Sequence, residues 1–325
     1  MKKTNWMLAA ILGAALAATV PGAIAEEQKA PAKPATAQAG AAKADTQKAF
    51  ATPEEAAKAL ADAVRAENPT AMLEIFGPKS KSWLFTGDWV VDEADWKAFL
   101  EAYDRKNAIR KDGEDKAVLL IGDDWPLPAP LVRKAGQWRF DAEAGREEVT
   151  NRRIGSNELD TIQTLLAIVD AQREYAASDL DRNGYNDYAR RFVSAPGMKD
   201  GLYWPEKEGE PQSPLGILAA KAAREGYTGE ARAGKPEPYH GYHYRMLTGQ
   251  GKNASDGAYD YVVKGKMIGG FAVVAYPARY GVSGVMTFVV NHEGIVYEKD
   301  LGQSTSSVAG SMKLFNPDKS WKKHP

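Results

Sequence analysis

The stretch SNELDTIQTLLAIVDAQREYAA, residues 156–177, decides the architecture of the chain. Ile162, Leu165, Leu166, Ile168 and Val169 recur at helical spacing. Their stripe is too wide for a helix standing alone in water, so this helix must lie across a sheet. Upstream the helical reading extends back to Gly145, with a predicted break at Gly155-Ser156. Downstream, a second helix begins at Ser213-Pro214 and ends before Gly226. Strand-like runs follow at 241–248, 259–263, 270–276 and 285–290, the last turning at Asn291-His292-Glu293-Gly294 into 295–299. Consecutive strands joined by short glycine-bearing loops pair antiparallel. Residues 304–325 are polar and read as a loosely held tail.

Ahead of the long helix stands a second folding unit, 50–142. Thr52-Pro53-Glu54-Glu55 supplies an N-cap hydroxyl, a proline at the first helical position and a glutamate at the third, which is a capping box. Asn68-Pro69 starts another short helix, and Gly77-Pro78 stops it. Asp92 and Asp95 are expected to open a third helix, on which Trp96, Phe99, Leu100 and Tyr103 share one face. Strand-like pieces at 117–121, 131–133 and 138–140 complete the unit. Helices first and an antiparallel sheet after them make the fold class α+β in both halves.

The ends and the composition bound the biology. Lys2 and Lys3, an uncharged run from Trp6 and the small-residue string Ala23-Ile24-Ala25 read as a signal peptide cleaved near Ala25. Residues 26–48 are almost all Ala, Lys, Gln, Pro and Thr, with nothing large and apolar to anchor a fold, so they read as a disordered linker. The expected location is therefore periplasmic or secreted. The chain has no cysteine, which excludes a disulfide framework. Lys and Arg number 42 against 43 Asp and Glu, with no basic stripe, so nucleic-acid binding is not expected. No membrane span is expected in the mature chain.

Several strings carry a resemblance. They are 170–177 (DAQREYAA), 200–205 (DGLYWP), 258–263 (AYDYVV), 267–272 (MIGGFA) and 280–288 (YGVSGVMTF). Together they resemble an uncharacterised family of exported bacterial proteins, the domain-of-unknown-function family 2950, across nearly all of 50–303. That resemblance implies a family identity without an assigned activity. The C-terminal half, 145–303, is also similar to the globular heads of type II secretion pseudopilins and type IV pilins. It lacks the apolar, glutamate-bearing half-helix that packs pilus filaments, so the likeness does not carry polymerisation with it. The order of elements over 50–142 resembles the cone-shaped nuclear-transport-factor-2-like fold. Such cones often hold a small ligand, and Trp83, Trp89, Trp96, Trp125 and Trp138 are the residues that would line one. With no ionisable residue interleaved among them at a telling spacing, these tryptophans are expected to form the core of the unit and its rim.

The sharpest local motif is Asp179-Leu180-Asp181-Arg182-Asn183-Gly184-Tyr185-Asn186-Asp187. Side-chain oxygens at positions one, three, five and nine, glycine at six and the Tyr185 carbonyl at seven match a calcium loop. Position twelve is Arg190 instead of a bidentate glutamate, and a turn capping the following segment uses the same residues. Asp179, Asp181, Asn183, Tyr185 and Asp187 are thus the candidate metal ligands, with Ca2+ as the candidate ion. His240 and His243 would point to opposite faces of one strand and cannot chelate a single ion as a local pair. Two functions remain open. One is a noncatalytic envelope or secretion-linked protein that binds a protein partner or a small ligand. The other is a hydrolase using a carboxylate such as Asp88 or Glu293 as base.

Overall fold

A computed structural model describes residues 47–228 and 237–324. The expected signal segment, its cleavage site and linker residues 26–46 lie outside the described residues. Gln47 and Lys48, at the end of that linker, are docked. The Gln47 Nε2 donates to the carbonyls of Ile75 (2.9 Å) and Phe140 (2.7 Å), and Lys48 N donates to Glu74 O.

The first unit is built of α1 (Pro53–Arg65), α2 (Pro69–Phe76), α3 (Lys81–Leu84) and α4 (Trp89–Arg105), followed by strands β1 (Asn107–Lys111), β2 (Lys116–Ile121), β3 (Trp125–Pro126), β4 (Leu131–Lys134) and β5 (Gln137–Phe140). The sheet runs β1-β2-β4-β5, with β3 also on β2, and every pairing is antiparallel. The predicted caps form: Thr52 Oγ1 accepts from Glu55 N at 3.1 Å, and Asn68 Oδ1 from Ala71 N at 3.1 Å. Helix α4 starts earlier than expected. Its N-cap is Asp88, whose side chain accepts from Val91 N, while Asp92 and Asp95 lie inside the helix. Strand β1 escapes sequence reading because only Ile109 in it is even half-buried, which leaves no alternating pattern to detect.

Helix α5 (Ala142–Ala176) runs 35 residues without the break predicted at Gly155. A Cβ at Gly155 would meet nothing within 4 Å, so this glycine sits on an open face where the ladder continues past it. Gly145 has the opposite surroundings. A Cβ there would stand 2.8 Å from the Ala129 backbone, so only glycine lets the start of α5 press against the loop before β4. The helix thus belongs to both units.

Beyond α5 come α6 (Gly216–Glu225), β6 (Tyr242–Leu247), β7 (Gly249–Gln250), β8 (Tyr259–Asp260), β9 (Ala272–Pro277), β10 (Met286–Asn291), β11 (Val296–Asp300), α7 (Thr305–Ser311), β12 (Leu314–Phe315) and β13 (Lys322–Lys323). The main sheet, β13-β11-β10-β9-β6, is antiparallel; β12, β7 and β8 form a small second sheet. The stripe of α5 lies on β9, β10 and β11 as its width required, burying Leu165, Ile168 and Val169 almost completely. Burial of side chains of this size contributes roughly 1.5 to 3 kcal/mol each. Segment 304–325 is not a loose tail. Ala309 and Phe315 are buried, β13 extends the main sheet and β12 pairs with β7. Two apolar anchors suffice to dock a segment whose overall polarity hides them.

Candidate functional site

Facing rows on two helices frame a cavity of about 710 Å³ in the first unit. Asp92, Asp95, Trp96 and Phe99 follow the i, i+3, i+4, i+7 spacing of one face of α4. Val149, Arg152, Arg153 and Ser156 repeat that spacing on α5. All eight line the cavity, and Leu60, Phe76, Trp83, Ile121, Trp125 and Leu127 close its apolar sides.

This corrects the expected packing of the tryptophans. Trp138 does belong to the core and Trp83 is buried, but Trp96 is only half-buried and Trp125 is 41% exposed, both on the cavity wall. Trp89 packs edge-on against Trp96, their centroids 5.1 Å apart. Ionisable residues are interleaved after all: Asp92 precedes Trp96 by four residues and Phe99 by seven. That spacing was legible, and it was hidden because the two aspartates looked like the opening of the helix.

The charged groups at the inner end differ in what they already do. Asp92 is buried, and its two oxygens share the Thr86 N–H at 3.0 and 3.2 Å, which ties it to the turn before α4. Burial raises its carboxyl above the ordinary range. Asp95 is crowded by protein, yet its surface opens into the cavity. Crowding pushes its carboxyl up to about 6, with Asp92 adding to the rise and Arg153 opposing it through space. Arg153 donates Nη1 to the Trp83 carbonyl at 2.7 Å, and its buried Nε has no acceptor among the described residues. Burial lowers its affinity for the proton while Asp95 and Asp92 restore it. Arg152 is paired with Glu148, one turn back.

Asp88 is not in this cavity. It is 1% exposed and its Oδ2 accepts from Tyr227 Oη at 3.0 Å and from Gly241 N at 3.1 Å. Burial pushes its carboxyl up to about 6 against those hydrogen bonds. Beside it the His240 ring lies 3.7 Å from Asp160 Oδ2 and 3.6 Å from Glu225 Oε2. This cluster fastens the first unit to the second, along with Arg279 Nη1 on the Phe85 carbonyl (2.6 Å) and Asn157 Nδ2 on the Ser283 carbonyl (2.8 Å). Glu293 is exposed and accepts from the Ser255 hydroxyl. Asp88 is buried, Glu293 lies on the surface, and neither lines the cavity. His240 precedes β6 at φ 46°, in a turn, and only His243 is on the strand.

The acidic loop folds around Asn183. Its Nδ2 donates to Asp181 Oδ2 (2.7 Å) and Asp187 Oδ1 (2.9 Å), so these three side chains come together. Asp179 is spent on the Asn183 and Gly184 amides, at 2.8 and 2.9 Å. Tyr185 turns outward beneath Lys266, whose ammonium lies 3.6 Å from the ring centroid. The same ammonium donates to the Asn183 carbonyl at 2.6 Å and to Asn183 Oδ1 at 3.1 Å, which brings a positive charge to the loop.

Among the described residues no helix is long and apolar enough to cross a membrane. No curated protein and no solved structure matches the chain. A family model described as a protein of unknown function, DUF2950, matches residues 47–324, a span that takes in both units, the cavity and the clasp between them. The chain belongs to the DUF2950 family.

Proposed function

We propose that this is an exported binding protein of the bacterial cell envelope that holds a small, mostly apolar molecule in the cavity between α4, α5 and the first sheet. The observation that carries the reading is the cavity itself: about 710 Å³, walled by aromatic and aliphatic side chains, with a few charged groups among them. Concave, mostly apolar sites of this size with a few convergent polar groups are the usual form of small-molecule sites. Export rests on the Lys2-Lys3 and Ala23-Ile24-Ala25 pattern, with cleavage near Ala25. The hydrolase reading has less support. Asp88 and Glu293 lie outside the cavity lining, and among the described residues no histidine lines the cavity with Asp95.

The test is binding of the uncharged dye N-phenyl-1-naphthylamine to the mature chain, followed by dye emission and by tryptophan emission from the cavity wall. Saturable binding is expected, with a loss of about tenfold or more in Val149→Trp, whose larger side chain projects into the cavity between α4 and α5. Absence of saturable binding, or binding indifferent to that substitution, refutes the proposal.

Calcium at the acidic loop is a second proposal, supported by the convergence of Asp181, Asn183 and Asp187. The Lys266 ammonium would compete with the ion.

A further inference from the structure

We infer that the inner end of the cavity selects an uncharged ligand head that both donates and accepts hydrogen bonds, a carboxamide or hydroxyl on an apolar body, held between Asp95 and Arg153. The inference rests on the cavity being a binding site. It follows from asking which polar groups there still lack partners.

Both oxygens of Asp92 share the Thr86 N–H, and Arg152 is engaged with Glu148. At the outer end Arg105 faces Asp123 at 3.9 Å. That leaves two charged groups, with the Ser156 hydroxyl, itself a donor and an acceptor, on the same lining. The Asp95 carboxylate makes no hydrogen bond among the described residues and acts on Arg153 only through space. The Arg153 guanidinium spends one Nη1–H on Trp83, and its Nη2 hydrogens make no hydrogen bond among the described residues; its Nε is sealed off from the cavity. An ionised carboxylate only accepts and a guanidinium only donates. A head that satisfies both must therefore offer a donor and an acceptor side by side.

Charged heads are worse matched. An anion would suit Arg153 but would stand beside Asp95 and Asp92. A cation would suit Asp95 but would meet Arg153, with Arg279 close enough to act on the same groups. Two carboxylates against two guanidiniums leave no net charge for an ion to neutralise. A site built to pair with a polar head discriminates strongly against analogues lacking it, because its own buried groups are then left unpaired.

Three probes of equal chain length test this by isothermal titration at pH 7.5 with the mature chain: octanamide, octanoate and octylamine. Octanamide is expected to bind about tenfold or more tightly than either ion. Asp95→Leu is expected to lower octanamide affinity about tenfold while narrowing the gap to the ions, and Arg153→Met to do likewise. The Asp95 side chain faces open cavity, so its variant keeps the test valid should Arg153→Met not fold. Val149→Trp should weaken all three probes. Equal binding of the three, tighter binding of an ion, or failure of all three while N-phenyl-1-naphthylamine still binds overturns the head-group inference and leaves the cavity standing. Failure of the dye as well as the probes overturns the binding reading itself.

Discussion

Replacing Asp88 with alanine should change the pH dependence of stability by an amount that its burial fixes. The carboxyl moves from 3.8 to about 6 on folding, chiefly because burial disfavours its charge. At about 1.4 kcal/mol per unit, the full shift is worth roughly 3 kcal/mol between the two protonation states. The folded state holds this proton more tightly than the unfolded chain. The group's contribution to stability is therefore complete below about 4 and is lost as the pH rises through about 6. At pH 5.0 about 1 to 2 kcal/mol of it survives, and at pH 7.5 essentially none. Urea unfolding of the wild type and Asp88→Ala at these two pH values reads the difference. The variant's deficit should be about 1 to 2 kcal/mol larger at pH 5.0 than at pH 7.5. Tyr227→Phe adds a control. It removes a hydrogen bond that lowers the Asp88 carboxyl, so the wild-type pH dependence should steepen in that variant. A deficit equal at both pH values, or smaller at pH 5.0, would refute the assignment of Asp88 as a buried, burial-shifted clasp between the units.

Two further outcomes follow from the same structure. Phe315→Ala should cost about 3 to 5 kcal/mol in urea unfolding, because Phe315 is 2% exposed and packs edge-on against Tyr297; a residue of a loose tail would cost nothing measurable. If calcium binds the 179–187 loop, millimolar calcium should raise the melting temperature by mass action and Asp181→Ala should abolish the rise, whereas a melting temperature indifferent to calcium and chelator leaves a turn bridged by Lys266.

Much of the fold was legible because its signals are local. The Thr52 and Asn68 caps, the stripe at Ile162, Leu165 and Val169, and the glycine-punctuated strands each depend on residues a few positions apart, and each appears where the sequence placed it. The misreadings share a different cause. Asp92 and Asp95 read as helix openers since acidic residues favour first turns; Asp92 does lie in the first turn of α4, but the N-cap is Asp88 and Asp95 sits a turn further in. Gly155 reads as a helix breaker, although its cost of about 1 kcal/mol is small against the packing on either side of it. The 304–325 segment was judged by its average polarity, when what docks a segment is the few apolar residues it buries.

The sequence by itself determined the α+β class, the family, and which helix must cover a sheet, because periodicity and capping are properties of neighbouring residues. Only the tertiary structure decided that residues 142–176 form one rod shared by both units. It alone brought Asp95 on α4 opposite Arg153 on α5, and Asp88 against Tyr227 and Gly241 across 139 and 153 residues of chain. The reason is physical. A cavity, an unpaired donor and a burial-shifted carboxyl are defined by what stands nearby in space, and spatial neighbours far apart in sequence leave no mark in local spacing.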